Sequence, residues 1–167
     1  MNNLPEVWLR GPVENIPALL QPAAYALQQT SEEIRKYMED FPEEKLHDMP
    51  FGRASVAFHL KHITGVLDRM MTYSRGENLS DEQFAYLSSE KNADNQTIQE
   101  LINAFDIKIK EALTYFKTID PEILTEPRAV GRKKLPSTVI GLLFHAAEHS
   151  QRHLGQLLVT VSALKNR

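Results

Sequence analysis

The 167-residue chain contains no cysteine. Disulfide stapling, thiolate catalysis and cysteine-based zinc sites are therefore excluded, and a reducing cytoplasmic setting is the expectation. No apolar run approaches the roughly 20 residues that span a bilayer, so no membrane partner is expected. The start "MNNLPEVWLRGPVENIP" lacks the basic-then-apolar pattern of a signal peptide. Basic excess is also missing: the formal net charge is -3. Nucleic acid or anionic lipid would need a local patch, and no basic stripe is visible, so nucleic acid is not an expected partner. Strand signals are sparse too, with no sustained alternation and no Asn-Gly or Asp-Gly turn between β-branched runs.

Helical periodicity fills the space these absences leave. In "TIQELINAFDIKIKEALTYFKTI" the residues Ile98, Leu101, Ile102, Phe105, Ile109, Ala112, Leu113 and Phe116 form one buried stripe. Asp120 and Pro121 end that helix, because proline cannot continue the ladder. A second helix is predicted from about Ala54 to Tyr73, with Gly76 as the breaker and Val56, Leu60, Ile63, Leu67 and Met70 as its stripe. An earlier one runs from about Pro22 to Asp40. The last starts near "LPSTV", with Pro136 and Ser137 as start signals, and continues to about Ala163. Ser80 and Gln83 fit a capping box for a short extra helix.

Four long amphipathic segments predict an all-α fold, a four-helix bundle. The linkers at 41–53, 74–96 and 119–136 exceed what tight up-down-up-down turns need, so at least one long crossover connection is expected. Residues 1–167 read as a single domain: an irregular arm over 1–21, with Pro5, Pro12 and Pro17, and a bundle over 22–163. Trp8, the only tryptophan, is expected to anchor the arm on the bundle.

The most regular polar feature is "GLLFHAAEHSQRHLGQLLVT", where His145, His149 and His153 recur every four residues. Such residues lie about 40° apart on one helix face, and H-x-x-x-H lets two imidazoles approach one cation. The flanking Glu148, Gln151 and Arg152 mark the opposite, polar face. Two hydrogen-bonded core histidines would satisfy the same pattern, and a third ligand from another helix would decide for a metal. The second helix offers His59 and His62 in "SVAFHLKHI", and periodicity alone does not choose between them. His47, in a linker, is expected to be solvated.

Two metal chemistries are excluded by residue type. A zincin needs glutamate directly after the first histidine, where this chain has Ser150. A di-iron bundle needs Glu-x-x-His on two helices, and the single such spacing, Glu44 to His47, falls in a linker. A site of neutral imidazoles remains, suited to zinc, nickel or a similar borderline divalent metal.

"SVAFHLKHI" and "HAAEHSQRHLGQLL" together resemble the DinB-like superfamily of metal-binding four-helix bundles, which includes the YfiT-type proteins. The resemblance covers roughly residues 20–163. It implies an up-down-down-up bundle and carries the metal ligands onto His62, His149 and His153. His59, His145 and Gln156 then fall to the pocket or behind the ligands. The family includes low-molecular-weight thiol S-transferases, a maleylpyruvate isomerase branch and many proteins of unassigned activity. The resemblance thus implies a metal-dependent transferase, or a hydrolase, using a metal-activated water or thiol on a small-molecule substrate; a non-catalytic metal- or ligand-binding stress protein is the alternative. The matched motifs contain no general base, and no catalytic side chain is assigned. Ahead of the last helix, "EPRAVGRKKLPS" gathers Arg128 and Arg132, candidates for holding an anionic substrate group. A homodimer, as in many bundles of this kind, is compatible with the pattern.

Overall fold

The computed structural model describes residues 4–165. Five α-helices occupy Gln21–Met38 (α1), Val56–Ser74 (α2), Asp81–Ser89 (α3), Ile98–Thr118 (α4) and Val139–Lys165 (α5). Sequence chemistry accounts for most of their starts. Ser55 accepts from the Phe58 N–H and caps α2, and Ser80–Gln83 and Thr97–Glu100 form complete capping boxes on α3 and α4. Pro22 stands in the first turn of α1, where its missing N–H costs nothing.

The four long helices form the bundle, with α5 packed on α2 and α1, and α4 packed on the same two. Named contacts fix their directions. Gln151 of α5 donates to the Ala26 carbonyl and Thr30, and Lys165 reaches the Glu39 carbonyl, so α1 and α5 run parallel. Asp106 of α4 accepts from Ser31 and Arg35, while Ile98 lies by Met38, so α4 runs against α1. Lys108 pairs with Asp68 and Ser74 bonds Tyr115, so α2 and α4 are parallel. The result is up-down-down-up. The linkers now have geometric reasons: 39–55 and 119–138 cross bundle diagonals, and 75–97 must climb back the length of α2 before α4 can run beside it.

The core follows the predicted stripes. Leu27, Ile34, Leu60, Ile63, Leu67, Leu101, Phe105, Phe116, Leu143 and Leu157 are all buried, each contributing about 1.5–3 kcal/mol. Met70 and Leu113 are partly buried at its margin.

Several expectations need correction. Residues Pro127–Val130 (β1) and Leu135–Thr138 (β2) form an antiparallel hairpin pairing Arg128 with Ser137 and Ala129 with Pro136. Pro136 and Ser137 are thus strand residues, and α5 begins at Val139, with the Thr138 hydroxyl accepting from Gly141 N–H. The hairpin escapes pattern reading because its strands are four residues long and a proline interrupts one, which only an edge tolerates. The arm is held by buried Val7, by Val7 N–H on Gln29, and by Arg10 on Glu32, while Trp8 is 58% exposed and, among the described residues, bonds only Glu6. Gln151 faces α1, not solvent. His47 is half-buried, with its Nε2 enclosed and without a hydrogen-bond partner among the described residues. No helix among the described residues is long and apolar enough to cross a membrane.

Candidate metal centre

Antiparallel packing sets His59 and His62 of α2 against His153 and His149 of α5. His62 Nε2 lies 3.0 Å from His149 Nε2, and His59 Nδ1 lies 3.0 Å from His153 Nδ1. One potential ligand atom from each of His62, His149 and His153 falls within 4.8 Å of the others. Helix spacing supplies His149 and His153, and the bundle supplies the third imidazole from across the groove. Phe58 stacks on His62 at 5.0 Å and meets His153 edge-on, so one aromatic wall positions both rings.

The donor set fits a divalent cation. Two Nε2 atoms 3.0 Å apart confront each other with lone pairs that a single proton must otherwise share. Two nitrogens bound to one cation at about 2.0–2.1 Å stand roughly 3 Å apart. Burial also keeps the imidazoles of His149 and His153 in the neutral, ligand-competent state. It pushes His153 down to about 3 and His149 to about 4, with the nearby His62 adding to each. His59, which is almost fully enclosed, falls to about 4 for the same two reasons.

These shifts make stability depend on pH in a definite direction. The folded pKa values lie below the ordinary 6.5, so between about 6.5 and 4 the unfolded chain binds protons that the folded chain refuses. Metal-free protein should therefore hold a constant contribution above pH 7 and lose it as pH falls from 6.5 towards 4. Thermal unfolding scans across that range check this, and a His59→Leu variant, with one such imidazole fewer, should show a shallower fall. An equal slope for both proteins would contradict the assigned burial.

A residue that pattern reading missed completes the site. Glu90, at the C-terminal end of α3, is buried, and its Oε2 accepts from His62 Nδ1–H at 2.6 Å. Its Oε1 accepts from Arg69 at 2.7 Å. The carboxylate fixes the proton on His62 Nδ1 and turns the Nε2 lone pair towards His149. Lys61, next to His62 and almost fully buried, holds the chain after Glu90 through the Asn92 carbonyl and Asp94. A sequence signal did exist. Gly65 sits inside α2, where glycine is unfavourable, and a Cβ there would collide with Glu90 Oε1 and come within 2.6 Å of Arg69.

The remaining candidates are placed as follows. His145 is half exposed and donates from Nδ1 to Glu148, whose carboxylate also accepts from Arg152. His145, Glu148 and His149 make a second, overlapping group with metal-ligand spacing. Gln156 is exposed and lines a cavity that also touches His59. Arg128 and Arg132 are not brought to the histidines. Arg128 bonds the Ser74 carbonyl at the opposite end of α2 from His59, and Arg132 lies over the Phe84 ring.

The family model of the DinB superfamily matches residues 26–157. Several solved structures share the fold, among them two crystal structures. One is a conserved protein from Enterococcus faecalis, 17% identical, with a TM-score of 0.68 over 89% of this chain and 98% of that one. The other is a protein from Streptococcus pneumoniae, 14% identical, with a TM-score of 0.64 over 86% and 88% of the two chains. No curated protein matches the chain.

Proposed function

This chain belongs to the DinB superfamily, and on that premise we propose that it is a divalent-metal-dependent transferase of the thiol S-transferase type. The observation that carries the reading is the convergence of His62, His149 and His153 from two helices, with burial holding His149 and His153 neutral. Three imidazoles suit zinc or nickel and would leave coordination positions for a small molecule. A cation held there would lower the pKa of a coordinated water or thiol and so supply a nucleophile at neutral pH.

The chain's own groups do the positioning. Glu90 keeps the proton on His62 Nδ1, and Arg69 holds Glu90 in place. Phe58 stacks on His62, and His59 contacts His153. His145 and Glu148 stand one turn along α5, with Arg152 fixing the carboxylate.

The test is conjugation of a low-molecular-weight thiol to a small electrophile by purified protein, with and without added zinc or nickel. Turnover that requires the cation supports the reading. Full activity in metal-stripped His149→Ala protein would sink it, and tight cation binding with no reaction would leave a metal-binding protein instead of an enzyme.

A further inference from the structure

A cavity of about 560 Å³ lies in the α2–α5 groove, one helical turn from the three histidines towards the start of α2. Its wall includes His59, which contacts His153, together with Arg53, Arg152, Gly155, Gln156 and Val159. We infer that this cleft takes a small molecule with an anionic head and an apolar body, and that Arg53 holds the head. The inference extends the metal-centre reading, because it names the substrate class for the space beside that centre.

Three observations carry it. The two arginines are not equivalent: Glu148 engages Arg152 with both oxygens, whereas no described residue pairs with the Arg53 side chain. The Gln156 amide on the same wall also has no bonding partner among the described residues, so a charged donor and a neutral donor face one space. Gly155 leaves that space open, since a Cβ there would meet nothing within 4 Å. The surrounding protein carries a net charge of -3, so a lone guanidinium in a cleft is a local site for an anion. The segment that presents it is unusual. Phe51 adopts φ 55° and Gly52 φ 69°, a left-handed pair immediately before the cavity-lining Arg53.

Titration of hexanoate and of neutral hexanol into isotopically labelled protein, metal-free and zinc-loaded, tests this by NMR. Hexanoate should give saturable shifts at the Arg53 guanidinium and Gln156 amide in both forms, and bind at least about tenfold more tightly than hexanol. Arg53→Gln should remove that preference, and Gly155→Leu should block the cleft, both with unchanged zinc stoichiometry. Equal binding of acid and alcohol, or an unaltered preference in Arg53→Gln, overturns the inference. So does hexanoate binding seen only with zinc and only at the histidines. Failure of zinc to shift the imidazoles of His62, His149 and His153 would instead overturn the metal reading, whatever hexanoate does.

Discussion

His149→Ala weakens divalent-cation binding by more than about a hundredfold, while His145→Ala leaves it essentially unchanged. The size follows from the geometry. Even a partner that only orients a ligand is worth about 10- to 100-fold in affinity, and His149 is one of three donors converging within 4.8 Å. The contrast between the two histidines matters more than either value. His149 belongs to both possible ligand groups, one with His62 and His153 and the other with His145 and Glu148. In the second group Glu148 is already satisfied by Arg152, and His145 is half exposed. Calorimetric zinc titration of wild type, His145→Ala, His149→Ala and His153→Ala measures the effect. A loss at His145 equal to that at His153 would move the centre one turn along α5.

Glu90→Ala is the second large effect, and it falls on folding as well as on metal binding. Removing the carboxylate leaves Arg69, only 7% exposed, without its partner. Breaking a buried pair from one side costs about 3–5 kcal/mol, or roughly 10 °C in melting temperature for a chain of this size. Glu90→Gln separates the two roles. It retains shape and an acceptor oxygen but removes the charge that polarises His62, so cation affinity should fall about 10- to 100-fold with a smaller loss of stability than in Glu90→Ala. Melting scans of metal-free proteins, paired with zinc titrations, read the two effects apart. Unchanged affinity in Glu90→Gln would reduce Glu90 to a structural role.

The helices were legible because their signals are local and redundant. The α4 stripe from Ile98 to Phe116 and the Ser80–Gln83 capping box each need only neighbouring residues. The crossovers were legible as linker length, since a diagonal or parallel connection needs more chain. The hairpin was not, because four-residue strands with a proline carry little alternation. In the site, regular spacing exposed His149 and His153, and the resemblance selected His62. Glu90 stayed hidden because its contact with His62 is made across 28 positions by the packing of α3, with Gly65 as the faint trace. The enclosure of His47 escapes pattern reading for a related reason: a linker residue is enclosed by whatever the crossover lays over it. Arg128 and Arg132 looked like anion holders because they stand close in sequence to a helix start. The fold carries them to the far end of α2, while Arg53, in an unremarked turn, faces the cleft.

X-ray absorption of zinc-loaded protein, purified without an affinity tag, tests the central claim most directly. One cation per chain with three imidazole nitrogens, reduced to two in both His62→Ala and His153→Ala, is the expected result. A carboxylate-containing shell that survives His62→Ala and changes with His145→Ala would contradict it, as would the absence of any stoichiometric cation.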